Sequence, residues 1–279
     1  MLPITCSFRS PRSHRGVIDR AAIGLLASAI VLVGLIAWLS HGRGPPASVV
    51  VYCAAGLREP VEAIRNAYES ERGISVVVQY GGSNTLLANL KVSQDADLFL
   101  PADDSYIALA QQDRLLADTF PVARMRPLLA MKKGNPLQVK SLSDLLTKDV
   151  RLSMTDPDAA ATGKLVQAAL QSAGKWELLK SRVTVFKGTV SEVAADLQVG
   201  AADAGIVWDT MLKQLRDFEE VPLPELAGTS ALVVAGVVAD SRQPAAARAL
   251  AEYIAAADKG QRFLRDAGFA PASPAEHAP

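Results

Sequence analysis

The sequence predicts an α/β protein of two lobes, each a mainly parallel sheet flanked by helices, behind an N-terminal membrane helix. Three observations carry that expectation. Short apolar runs alternate with segments of helical periodicity, the pattern of repeated β-loop-α units. The series breaks and restarts near Arg126-Pro127, and a late apolar run, Ala231 to Ala239, follows as a returning segment. Ahead of all this, Ala21 to Leu39 reads AAIGLLASAIVLVGLIAWL without one charge.

That uncharged run is near the minimum that spans a bilayer as a helix. Arg9, Arg12, Arg15 and Arg20 precede it and only Arg43 follows soon after. The bias keeps residues 1–20 cytoplasmic and sends the body outside. An uncleaved anchor over 21–39 is favoured over a long signal peptide, because Trp38-Leu39-Ser40-His41 is a poor cleavage site. Residues 40–47, with Gly42-Arg43-Gly44-Pro45-Pro46, then form a linker.

In the body, Val49 to Ala54 is a continuous apolar run, as expected of a strand buried on both faces. Pro60 lies at the start of a helix through Val61, Ile64, Ala67 and Tyr68, which Gly73 stops. Ile74 to Val78 is a second strand, and a helix through Leu86, Leu87, Leu90 and Val92 follows Gly81-Gly82-Ser83-Asn84. Asp97 to Pro101 is a third strand, and Asp103-Asp104-Ser105 opens another helix. After Arg126-Pro127 come a strand at Leu128 to Met131, a turn at Lys132 to Pro136, a strand at Arg151 to Met154 and a loop at Thr155 to Thr162. A helix from Lys164 to Ser172, a strand from Val183 to Phe186, a helix from Val193 to Val199 and a strand from Ala204 to Trp208 complete that series. An Ala-rich helix over Ala245 to Ala257 and a last one over about Gly260 to Ala267 follow the returning strand. Lobe 1 is therefore assigned residues 48–125 plus 232–270 and lobe 2 residues 126–231, with 271–279 as a disordered tail.

Composition excludes several chemistries. Lysine plus arginine equals aspartate plus glutamate, 29 each, but the arginines before the membrane run leave the body mildly acidic. Nucleic acid is thus a poor partner, since phosphate contacts need a basic face. The three histidines are His14, His41 and His277, so the body holds none and the usual hydrolytic base is missing. The two cysteines, Cys6 and Cys53, flank the membrane run, which leaves no disulfide framework or cysteine metal site. Cys53 reads as a small buried residue. Asp103-Asp104 reads as helix capping, and the spacing of Asp95 and Asp97 from them fits no EF-hand loop. Neither G-x-G-x-x-G nor a P-loop occurs.

What remains is a recurring junction. Ala54-Ala55-Gly56, Gly81-Gly82-Ser83-Asn84-Thr85, Ala161-Thr162-Gly163 and Gly188-Thr189-Val190-Ser191 each place small or hydroxyl residues between a strand and a helix. Any one alone is an ordinary helix cap. Two in each half, facing one cleft, would aim free backbone N–H groups and helix dipoles at an anion.

At these residues the chain resembles the molybdate-binding proteins of bacterial ABC importers, two-lobed periplasmic solute-binding proteins of type II. The resemblance runs from about Val49 to Phe269. Its stretches are Ala54-Ala55-Gly56-Leu57, Gly82-Ser83-Asn84-Thr85-Leu86, Ala96 to Asp103, Asp156-Pro157, Ala161-Thr162-Gly163 and Gly205-Ile206-Val207-Trp208. It implies no cofactor and no catalysis, but an oxyanion ligand, molybdate or tungstate, held by neutral donors and passed to an ABC permease and its ATPase. A monomer on the periplasmic side of the cytoplasmic membrane is expected. By position, Ser83 matches a serine ligand, while Thr162 and Val190 match backbone N–H donors. Gly56 replaces a family serine and Trp208 a family tyrosine, so both depart from the pattern. Arg58, Lys164 and Lys187 near the junctions are expected to be solvated or steering charges. Sulfate, phosphate or a small organic anion on the same fold, or a membrane-anchored sensor or adhesion module, are the alternatives.

Overall fold

The computed structural model describes residues 31–33, 48–93 and 95–272. Val31, Leu32 and Val33 are helical; the rest of the 21–39 run lies outside the described residues. No helix among the described residues is long and apolar enough to cross a membrane.

From Ala47 onward the chain forms one unit containing two sheets. In the first half, β1 (Ser48–Ala54) leads through a 3₁₀ turn (Ala55–Leu57) into α1 (Arg58–Arg72). α1 buries Pro60, Val61, Ile64 and Tyr68, most of them one helical turn apart, and ends at Gly73, whose φ of 65° lets its N–H reach the Glu69 carbonyl. β2 (Ser75–Gly81), α2 (Ser83–Val92), β3 (Leu98–Leu100) and α3 (Ser105–Gln112) follow, then β4 (Leu116–Met125).

The second half runs β5 (Pro127–Lys132), α4 (Leu142–Thr147), β6 (Leu152–Thr155), α5 (Ala161–Ser172), α6 (Trp176–Lys180) and β7 (Val183–Lys187). It continues through α7 (Val190–Gln198), β8 (Ala204–Trp208), a 3₁₀ turn (Asp209–Lys213) and β9 (Phe218–Val221). The chain then returns as β10 (Ala231–Val238), α8 (Pro244–Ala255), α9 (Gly260–Asp266) and β11 (Ala270–Pro271).

The first sheet has the order β11-β4-β10-β3-β1-β2 and the second β7-β6-β8-β5-β9. Both are mixed, which corrects the mainly parallel sheets expected from sequence. β1 pairs in parallel with β2 and β3, but β10 runs antiparallel to both β3 and β4. Likewise β6 is parallel to β7 and β8, while β5 is antiparallel to β8 and β9. The reversed strands are those that enter a sheet after a crossing: β5 in the second sheet and β10 in the first. The first crossing is a single residue, Arg126, between β4 and β5; its backbone N–H donates to Asp209 Oδ1 at 3.0 Å and its guanidinium pairs with both Glu220 oxygens at 2.7 and 2.6 Å.

Several elements differ from the sequence reading. β4 escapes it because Asp118 and Pro121 interrupt the run. Pro121 is tolerated because the β4–β10 register shifts there, with Val233 opposite Ala123 and Val234 opposite Pro121, so Val122 is the extra residue of a bulge. β9, α4 and α6 are too short to show a period. Pro271, assigned to the tail, pairs with Ala123 in β11, while 273–279 lie outside the described residues. Of the inner strands, β8 and β10 are apolar and buried along their full length; the edge strands β2 and β7 are partly exposed.

Candidate functional site

The four junctions meet. Gly56, Ser83, Thr162, Val190 and Trp208 all line one narrow space of about 10 Å³, together with Ala54, Ala55, Gly81, Gly82, Ala102, Ala160, Ala161 and Thr189. Ser83, Thr162, Val190 and Trp208 are buried and Gly56 half-buried. No lining side chain is charged.

The structure shows why these helices present donors. α5 begins at Ala161 rather than Lys164 and α7 at Val190 rather than Val193, so Thr162 and Val190 lie inside first turns. The first backbone donor to an in-helix carbonyl in α5 is Lys164, to Ala160 at 3.2 Å. That leaves the Ala161, Thr162 and Gly163 N–H groups without an intrahelical acceptor. The N-cap positions of α2 and α5 are Gly82 and Ala160, neither of which offers a capping side chain. α7 does carry a cap: Thr189 Oγ1 accepts from Glu192 N–H, and Glu192 accepts from Thr189 N–H. That capping box is legible in Thr189-x-x-Glu192 and the sequence reading passed over it. It occupies the third N–H and leaves those of Val190 and Ser191.

Side-chain donors complete the lining. Ser83 Oγ accepts from the Ala102 N–H at 3.1 Å, so its hydroxyl proton points elsewhere. Ala102 fixes Ser83 and was not singled out from sequence, although it lies within a stretch carrying the resemblance. The Trp208 indole packs edge-on against Gly56: a Cβ there would lie 2.7 Å from Cδ1 and 2.9 Å from Nε1. The indole N–H makes no hydrogen bond among the described residues.

The nearby cations stand outside the lining, each engaged. The Arg58 guanidinium lies 3.9 Å above the Tyr80 ring. Lys187 pairs with Asp196 at 3.0 Å. Lys164 donates to Ser105 Oγ at 2.8 Å and sits 4.5 Å over the Tyr106 ring. Asp103 accepts from the Ser105 N–H at 3.1 Å, while Asp104 at the N-cap makes no side-chain capping bond, and burial pushes the Asp103 carboxyl above the usual range. Asp97 is consumed structurally, accepting from Val50 N–H at 2.8 Å and Ser241 Oγ at 2.6 Å. No cluster of metal-ligating side chains occurs among the described residues. Cys53 is fully buried and unpaired, and desolvation drives its thiol pKa far up, so it is inert rather than functional.

The two halves are closed on each other across this space. Asn84 donates its backbone N–H to the Ala159 carbonyl at 3.1 Å and its side-chain amide to the Asp158 carbonyl at 2.6 Å. Ser191 Oγ donates to the Ala55 carbonyl at 3.2 Å.

The model of one family, described as bacterial extracellular solute-binding protein, matches residues 49–270. The chain belongs to that family. This solute-binding protein is 30% identical over 227 residues to a Haemophilus influenzae protein named only as a binding protein, covering 81% of this chain and 92% of the relative. It is 25% identical over 169 residues to the molybdate-binding protein ModA of Escherichia coli, covering 57% of this chain and 65% of the relative. Its fold matches the periplasmic molybdate-binding protein of Azotobacter vinelandii, with a TM-score of 0.70 at 17% identity over 81% of this chain and 100% of the other. The sulfate-binding protein SubI of Mycobacterium tuberculosis shares it too, at 0.68 and 19% identity over 82% and 88%. The solute-binding protein is thus a divergent relative of the molybdate-binding proteins with the two-lobed type II fold, and its family is extracytoplasmic.

Proposed function

We propose that this solute-binding protein captures a tetrahedral oxyanion, molybdate or tungstate, between its lobes and delivers it to the permease and ATPase of an ABC importer. The observation that carries the reading is the convergence of four helix starts on one space lined only by neutral groups. Backbone N–H groups with helix dipoles behind them suit a dianion. Hydroxyl and indole donors add direction without a countercharge that would hold the ion against release. A cage made of donors disfavours an anion that keeps a proton, because that proton has nothing to donate to. Ser83, Thr162, Val190, Gly56 and Trp208 are the ligand set in this reading, and the relatives named for molybdate support it.

The space of about 10 Å³ is about what a single water needs, far less than a tetrahedral oxyanion. Capture therefore needs the lobes to part at the Arg126 crossing and at the return segment, then close on the ion. The same narrowness favours a second reading, in which the ligand is the smaller sulfate. An uncleaved N-terminal anchor over 21–39 would hold the protein, as a monomer, at the periplasmic face of the membrane.

Calorimetric titration of residues 47–279 with molybdate, tungstate, sulfate and phosphate tests the reading. Tight one-to-one binding of molybdate and tungstate is expected. Binding of sulfate alone transfers the assignment to the second reading, and silence for all four removes the oxyanion.

A further inference from the structure

We propose that Gly56 and Trp208 form one size gate, in which the indole of one lobe seated on the bare backbone of the other limits the ligand by volume. The inference rests on the oxyanion reading above. It starts from the composition of the lining, where Trp208 is the one large side chain among alanine, glycine, serine, threonine and valine. Trp208 closes β8 on one side of the cleft, and its ring is 1% exposed. Gly56 sits in the 3₁₀ turn after β1 on the other side. A Cβ at Gly56 would meet Trp208 Cδ1 at 2.7 Å, Trp208 Nε1 at 2.9 Å and Val190 Cγ1 at 3.1 Å. The first two are closer than real Cβ atoms approach, so glycine is required by the ring rather than by its own backbone angles. The two residues are therefore a single volume exchange: a side chain is absent at 56 because the indole fills its place.

The consequence is selectivity. Small residues elsewhere in the lining let the backbone reach the ligand, but none of them projects far enough to exclude a larger one. The indole is rigid and flat, and it presents its N–H at the same edge that meets Gly56. An anion seated among the helix starts must displace that edge or hold the lobes apart, and the displacement grows with anion size. Sulfate asks for less of it than molybdate or tungstate.

The test is a double-mutant cycle of Gly56→Ala and Trp208→Val in the full chain, read by thermal melting without ligand and by titration with sulfate, molybdate and tungstate. Gly56→Ala should lower the melting temperature and weaken every anion in the wild-type background, and should do little of either beside Trp208→Val. Trp208→Val alone should raise the molybdate-to-sulfate affinity ratio by about tenfold. Where Trp208→Val does not fold, Trp208→Phe serves for the ratio. Equal costs of Gly56→Ala in both backgrounds would refute the contact. A wild type that binds oxyanions with a ratio indifferent to residue 208 would refute the gate while leaving the proposed function standing. A wild type that binds none of the three anions would end the gate together with that function, while the melting cycle still reported the contact.

Discussion

Gly82 approaches the carbonyl of Gly188 so closely that a methyl group on it would sit 2.6 Å from that oxygen. The Ala159 carbonyl lies on the same side. Gly82 belongs to the lobe of β1, and the two carbonyls belong to the lobe of β6 and β7, so closure brings backbone against backbone. Gly82→Ala should therefore prop the lobes apart. The expected outcome is a larger radius of gyration by small-angle scattering and at least about a tenfold loss of ligand affinity, since a misfit of this size costs on the order of 1–3 kcal/mol. An unchanged radius and affinity would mean that the loops yield instead.

Asn84 is the polar counterpart of that contact. Its amide spans the cleft to the Asp158 carbonyl, beside an apolar cluster that itself runs across from Leu57 and Leu86 to Val190 and Trp208. Asn84→Ala should speed ligand release severalfold, in line with about 0.5–1.5 kcal/mol for one such hydrogen bond. The melting temperature of the ligand-free protein, whose closed lobes share the same bond, should fall slightly as well. Stopped-flow release monitored by tryptophan fluorescence checks the first expectation, and a melt checks the second.

Ser83→Ala should do two things at once. The hydroxyl accepts the buried Ala102 N–H, and its loss strands that donor at a cost of about 1–3 kcal/mol. A lower unfolding free energy without ligand is expected alongside weaker anion binding. Weaker binding with unchanged stability would show that the Ala102 bond contributes nothing to the fold.

Asp103 sets a pH dependence with a definite sign. Burial raises its carboxyl pKa above the ordinary value of 3.8, the neighbouring Asp104 adds to the rise, and Lys164 opposes it. An acid with a raised folded pKa contributes stability below its unfolded pKa and loses it as pH rises through the folded value. Asp103→Asn keeps an acceptor for the Ser105 N–H and removes the buried charge. It should raise the melting temperature at neutral pH, with the gain shrinking as pH falls toward 3.8. Melts across that range decide it, and a gain independent of pH would point to a cause other than ionisation.

Much of the fold was legible because local chemistry dictated it. Gly73 had to end a helix, and it does so with a positive φ. The uninterrupted apolar runs Ala204–Trp208 and Ala231–Val238 had to be inner strands, and both are buried throughout. β4 was not legible, since Asp118 and Pro121 contradict a strand until a bulge opposite Val233 and Val234 accommodates the proline. Nor was strand direction, because antiparallel and parallel neighbours read alike in an apolar run.

The site divides in the same way. By itself the sequence determined that small and hydroxyl residues would sit at four helix starts, and that no histidine or cysteine cluster would accompany them. These are consequences of residue type and spacing. Only the tertiary structure decided that the four starts face one another, that Ala102 holds Ser83, that Lys187 and Asp196 are partners, and that Trp208 occupies the room Gly56 leaves. Those facts join residues as far apart in the chain as Gly56 and Trp208. No local propensity links them. They arise when two sheets are brought together by the crossings at Arg126 and before β10, one apolar cluster runs across them, and the volume left between them has to be shared.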